Sequence, residues 1–118
     1  MRLLPLALPA ALPVVLALPL AAAAETYCGW IDNPVPGSEY LTDRFGSLVL
    51  SEQGLDIPNN WANTAPALEG AVDAYGIHYS CGCVTGTADF DAGVMLWIES
   101  ASAQPLSACE NDPNLPGR

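Results

Sequence analysis

The sequence predicts a small, mainly β domain: an antiparallel sheet stapled by two disulfides, with one stretch that suits a short helix. Three observations lead there. Two cysteines, Cys81 and Cys83, sit mid-chain, and the other two, Cys28 and Cys109, lie near the ends of what remains once an apolar leader is set aside. Short apolar runs alternate with clusters of Gly, Pro, Asn and Asp, the pattern of strands and turns. The leader itself marks the chain for export, where disulfides form and persist.

The leader comes first. Met1-Arg2 is a minimal positive start, Leu3 to Leu20 is nearly all Leu, Ala, Val and Pro, and Ala21 to Ala24 supply the small residues of a cleavage site. Residues 1–24 therefore read as a signal peptide, and residues 25–118 as one exported domain. The rival is a membrane anchor, which needs about 20 apolar residues. Pro5, Pro9, Pro13 and Pro19 oppose it, since each removes a helical hydrogen bond. No membrane insertion is expected after leader removal, and the location is periplasmic or secreted.

Charge narrows the function. The chain has three basic and thirteen acidic residues, and Arg2 leaves with the leader, so residues 25–118 carry a net −11. Arg44 and Arg118 are their only strong cations, and there is no lysine. Nucleic-acid binding neutralises phosphates with Lys and Arg, so it is excluded. Such a surface attracts a basic protein or divalent cations, or serves solubility alone.

Taken in order, Tyr27 to Ile31 reads as a first strand. Asn33-Pro34-Val35-Pro36-Gly37 follows as a rigid turn or polyproline segment, because two prolines fix φ and remove donors. Glu39 to Thr42 and Ser47 to Glu52 flank Asp43-Arg44-Phe45-Gly46 as a hairpin. Leu48 and Leu50 fall on one face of its second arm. Gln53 to Thr64 reads as a long loop with Trp61 tucked inward. Ala65 to Tyr75 suits a helix, with Thr64 as cap, Gly76 as stop and Leu68, Val72 and Tyr75 in helical spacing, although Gly70 interrupts it.

Ile77 to Thr85 is the next strand, Gly86 to Gly93 a polar turn, and Val94 to Ser100 the strongest strand. Strict alternation there puts Val94, Leu96 and Ile98 on one face and Met95 and Trp97 on the other. The two strands pair as a hairpin. Beyond Cys109 the tail is expected to fray.

Strand alternation places Tyr79, Cys81 and Cys83 on one face and His78, Ser80, Gly82 and Val84 on the other. A bridge between Cys81 and Cys83 would strain disulfide geometry across one intervening residue. Cys28 is therefore expected to join one of the central pair and Cys109 the other, with either partnering open. Loops this long contribute roughly 3–4 kcal/mol per bridge in the chain-entropy account.

Sharper chemistries are weaker here. A zinc or copper(I) site of His78, Cys81, Cys83 and Cys109 lacks the usual ligand spacing, and His78 points away from the sulfurs. A redox pair wants positive charge nearby, and this neighbourhood is acidic. His78 and Ser80 are too far apart along one strand face for a nucleophile and its base, which need about 3 Å contact. Asp89-Phe90-Asp91-Ala92-Gly93 starts like a calcium loop and stops short of one. Trp30, Trp61 and Trp97 together suggest a sugar platform, yet so small a domain needs at least two as core anchors. No catalytic, metal or cofactor site is expected.

Several segments then combine. Cys28-Gly29-Trp30-Ile31-Asp32-Asn33-Pro34-Val35-Pro36-Gly37, Leu41-Thr42-Asp43, Tyr79-Ser80-Cys81-Gly82-Cys83-Val84, Pro105-Leu106-Ser107-Ala108-Cys109 and Asp112-Pro113 resemble the domain-of-unknown-function family numbered 4087, small exported bacterial proteins. The resemblance runs from Cys28 to about Leu115 and covers all four cysteines. Tyr75 to Ser80 departs from the family's lead-in. Gly54 to Asp73 matches least, and the family is more extended there than a helix over 65–75. The resemblance implies export and a shared cysteine framework, and no activity.

The expectation is a non-enzymatic module of the cell envelope with a binding or structural role; the candidate binding residues are Asn33, Pro34, Val35, Pro36 and Gly37, a preorganised loop of the kind an inhibitor would need. The alternative is an inhibitor docking its acidic surface on a basic secreted lysozyme or protease. A metal or thiol-redox protein comes third.

Overall fold

The structure is a computed structural model and describes residues 23–118. The expected leader lies outside the described residues, apart from Ala23 and Ala24. The fold is mainly β, as the sequence predicted. Its elements are β1 (Glu25–Val35), β2 (Ser38–Asp43), β3 (Gly46–Ser51), α1 (Trp61–Thr64), β4 (Gly70–Val72), β5 (His78–Asp89), β6 (Val94–Gln104) and α2 (Leu106–Glu110).

These strands form one mixed sheet in the order β1-β2-β3-β6-β5-β4, and β1 pairs again with β5. That second pairing closes five strands into a small barrel, with β4 as an appended edge. Its connectivity, a three-strand meander followed by a return beside β1, is that of a partly open Greek-key barrel, the class that includes OB-folds. Every pairing is antiparallel except β3 with β6, which are parallel and meet at Val49 and Val94.

β1 reaches two neighbours because it bends across the barrel. Its pairing with β5 starts at Glu25, whereas its pairing with β2 starts only at Trp30, opposite Thr42. Gly29 marks the crossing: a Cβ there would overlap the Thr42 carbonyl oxygen. β1 then runs through Asn33-Pro34-Val35, so the tight turn is Pro36-Gly37 alone, with Gly37 at φ 87°. A positive φ at Gly after Pro suits a type II turn. The next turn is held by the Asp43 carboxylate, which accepts from the Phe45 and Gly46 amides at 2.7 and 3.1 Å.

Alternation gives the barrel its interior. Ile31, Leu41, Leu48, Leu50, Trp61, Val84, Met95 and Ile98 form the core. The expected pairing of Leu48 with Leu50 and the inward Trp61 hold. In β6 the expected alternation fails. Relative to β5 it carries an extra residue at Leu96 and another at Glu99. Each bulge shifts the pattern by one, so Met95 and Ile98 are buried while Leu96 and Trp97 are 52% and 49% exposed.

A single residue pair joins β3 to β6, and the rest of that seam is closed by Asn59 and Asn60. Asn59 is 1% exposed. Its amide donates to the Leu50 carbonyl at 2.9 Å and to the Met95 carbonyl at 3.2 Å. Its backbone carbonyl accepts from the Ile98 amide at 2.9 Å. Asn60 adds a bond to the Ile98 carbonyl at 3.0 Å. The loop read over 53–64 thus contains a one-turn helix and a two-residue substitute for strand pairing.

The helix expected over Ala65 to Tyr75 is absent. Gly70–Val72 instead pairs with His78–Ser80 of β5, just past the point where β6 ends at Gln104 opposite Cys81. An edge left open by β6 competes successfully with a three-turn helix interrupted by glycine. Asp73 then fixes the turn into β5, accepting from the Tyr75 and Ile77 amides. β5 also runs on to Asp89, through residues expected to form a turn.

Candidate functional site

The central cysteines do what their placement predicted, and the structure resolves the pairing. Cys28 joins Cys83, and Cys81 joins Cys109. Cys28 and Cys83 lie directly opposite in the β1–β5 ladder. No free cysteine remains, so no thiolate is left for metal ligation or thiol exchange. Disulfides of this kind belong to an oxidising, non-cytoplasmic compartment.

Both bridges lie on the outer face of β1 and β5, away from the barrel interior. There Trp30, Cys81 and Cys109 form a second buried cluster, with Tyr79, Leu106 and Leu115 packed against it. The tail beyond Cys109, expected to fray, folds back over this cluster. Trp30 Nε1 donates to the Pro116 carbonyl at 2.8 Å, and the Arg118 guanidinium pairs with Asp32 and stands 5.6 Å from the Trp30 ring centre. Burial raises the Asp32 carboxyl above the ordinary aspartate range, against the lowering effect of Arg118.

At one end of the barrel, the predicted contact segment borders two adjoining clefts. Ile31, Asn33, Glu39, Leu68, His78 and Ser80 line the first, of about 240 Å³. Asn33, Pro34, Val35 and Pro36 line the second with Gly76 and His78. Gly37 lines neither; it turns the chain. Glu39 is held by Trp61 Nε1, which donates to its carboxylate. The Ser80 hydroxyl is buried and donates to the Ile31 carbonyl at 3.3 Å. Of the singled-out pair, Ser80 is therefore committed to backbone and His78 is exposed.

The opposite end carries aromatic rings the sequence reading did not assemble. Phe90 stands edge-to-face with Tyr27 at 5.5 Å and with Phe45 at 6.0 Å. The Arg44 guanidinium lies 5.0 Å from the Phe45 ring centre. These residues come from the start of β1 and from two separate turns, so no local pattern announces them. The Phe90 to Gly93 segment is a turn here, with the Asp89 carboxylate accepting from the Ala92 amide at 3.0 Å. Of the three tryptophans, Trp30 and Trp61 are buried anchors and Trp97 alone reaches the surface.

Among the described residues, no group of three or more His, Cys, Asp or Glu side chains is placed to hold a metal. No helix among them is long and apolar enough to cross a membrane.

Neither the curated proteins nor the solved structures contain a match. The family described as "protein of unknown function (DUF4087)" matches residues 22–116. That span holds the cysteine framework, the Pro36-Gly37 turn and the tail that packs on Trp30, and the chain belongs to this family.

Proposed function

We propose that this is an exported binding module, periplasmic or secreted, without catalytic activity, that presents an anionic surface to a basic protein. One observation carries the reading: both cations of residues 25–118 are occupied by the chain itself. Arg44 lies over Phe45, and Arg118 is tied to Asp32 and Trp30. Among the described residues, Asp32 is the only carboxylate that meets a cation. The other acidic groups leave an outward field of one sign, which steers a basic partner and repels nucleic acid.

Several features support a role without chemistry. The four sulfurs are joined, the Ser80 hydroxyl bonds to backbone, and His78 has no hydrogen-bonded side-chain partner among the described residues. The Pro36-Gly37 hairpin tip adds a rigid contact, with Val35 45% exposed. Preorganisation of that kind lowers the ordering cost of binding. Neither the family nor the geometry supports the narrower inhibitor alternative.

The test is capture of partners from the native exported fraction on the immobilised, oxidised protein. Basic proteins should bind at low salt and elute at high salt. Partners of neutral or acidic character, or binding indifferent to salt, would remove the reading.

A further inference from the structure

Where β1 outruns β2, a gap opens between its first residues and the β2–β3 turn. A pocket of about 230 Å³ occupies it, lined by Glu25, Tyr27, Asp43, Arg44, Phe45 and Asp112 among others. Closing the barrel end accounts for Tyr27, which packs against the core. It does not account for Phe45, which meets Phe90 edge-to-face and remains 69% exposed.

Three carboxylates share this pocket with one cation, and the cation lies against the Phe45 ring. Asp43 is buried, and one of its oxygens takes both turn amides. Its other oxygen, without a hydrogen bond among the described residues, is open to solvent. The Tyr27 phenol reports the local field: burial raises its pKa, and so do the charge of Glu25, the hydrogen bond to Glu25 and the charge of Asp43. Aromatic faces beside uncompensated carboxylates are the chemistry that holds an ammonium or guanidinium group. Arg44 over Phe45 shows that the ring accepts such a cation.

We infer that this pocket receives a lysine or arginine side chain of the basic partner, with Phe45 and Tyr27 as its aromatic wall and Glu25, Asp43 and Asp112 as counter-charges. The inference rests on the basic-partner reading above and assigns the charged contact to this end of the barrel. The hairpin tip at the other end supplies shape and little charge.

A tetralysine peptide titrated into the oxidised protein at low salt tests it, followed by calorimetry and by the ring resonances of Tyr27 and Phe90. Saturable binding that shifts those resonances is expected. Phe45→Leu, which keeps an apolar side chain and removes the ring, should weaken binding about five-fold. Glu25→Gln with Asp112→Asn should weaken it further and flatten its salt dependence. Glu69→Gln, at an exposed position outside the pocket, should change nothing. If Phe45→Leu binds as tightly as the parent and both are salt-sensitive, the pocket assignment falls and the anionic-surface reading stands. If tetralysine does not bind at all, both fall. Tighter binding of neutral chitotetraose than of the peptide would also overturn the assignment, in favour of a sugar platform.

Discussion

The two faces of β1 and β5 carry two different cores. On the inner face, Ile31 and Val84 join six other side chains from β2, β3, β6 and α1. On the outer face, Trp30 forms a cluster whose other buried members are the half-cystines Cys81 and Cys109, with Tyr79 packed against it. The inner core is closed by packing and by Asn59. The outer one has a single large buried ring, and its cover is a five-residue helix and a tail. Apolar burial contributes about 25 cal/mol per Å², and here it comes from Trp30 and a few partly buried side chains. Sulfur and a few directed polar contacts supply the rest. In this small domain, covalent links stand where packing is weakest.

Breaking the links should have the largest effect. The 28-residue separation of Cys81 and Cys109 corresponds to about 3.5 kcal/mol, and the 55-residue separation of Cys28 and Cys83 to about 4 kcal/mol. Their sum rivals the whole stability of a typical domain, about 5–15 kcal/mol. Reduction should leave most of the protein unfolded, and circular dichroism with and without reductant reads it directly. Trp30→Ala comes next, at about 3–5 kcal/mol, and should free the tail as well. Urea unfolding gives the first quantity and tail proteolysis the second.

Asn59→Ala attacks the inner side and sharpens the contrast. It strips partners from the Leu50 and Met95 carbonyls and from the Trp61 amide. A loss of about 2–4 kcal/mol is expected, because buried polar groups are left unpaired. The tail should stay docked. Arg118→Ala should cost under about 1 kcal/mol, since its pair with Asp32 is partly exposed.

The smallest effect is a pH dependence. Burial raises the Asp32 carboxyl despite Arg118, so the folded chain holds that proton more tightly than the unfolded chain. This group therefore favours the fold at low pH, and that contribution is lost as pH rises through the folded value. Between the ordinary aspartate range and the raised one, Asp32→Asn should make the urea midpoint less dependent on pH.

Local signals carried much of this architecture. The β class, both hairpins, the inward Leu48, Leu50 and Trp61, and the link from each outlying cysteine to the central pair were legible, because turn residues and period-two alternation are properties of neighbouring residues. Which sulfur meets Cys28 depends on the β1–β5 register, and register is set across 55 residues of chain. The bulges at Leu96 and Glu99 leave no local mark, so β6 was assigned the wrong faces. The helix over 65–75 failed because an edge of β5 was available to pair, a fact held by β6 and not by the segment. Asn59 and Asn60 looked like loop residues; their role depends on a seam formed by β3 and β6. Of Asn33 to Gly37, four residues line a cleft, and only Pro36 and Gly37 form the hairpin tip. The Tyr27, Phe45 and Phe90 cluster joins three distant segments and was invisible.

Hydrogen exchange on the Cys81→Ala, Cys109→Ala double variant, with Cys28–Cys83 intact, separates the two cores most directly. If the outer layer is a strap on a barrel that closes by itself, amides from Leu106 onward should lose protection while those of Ile31, Leu48 and Val84 keep it. Equal loss of protection in both sets would contradict this, and would mean that the inner core depends on the sulfur outside it.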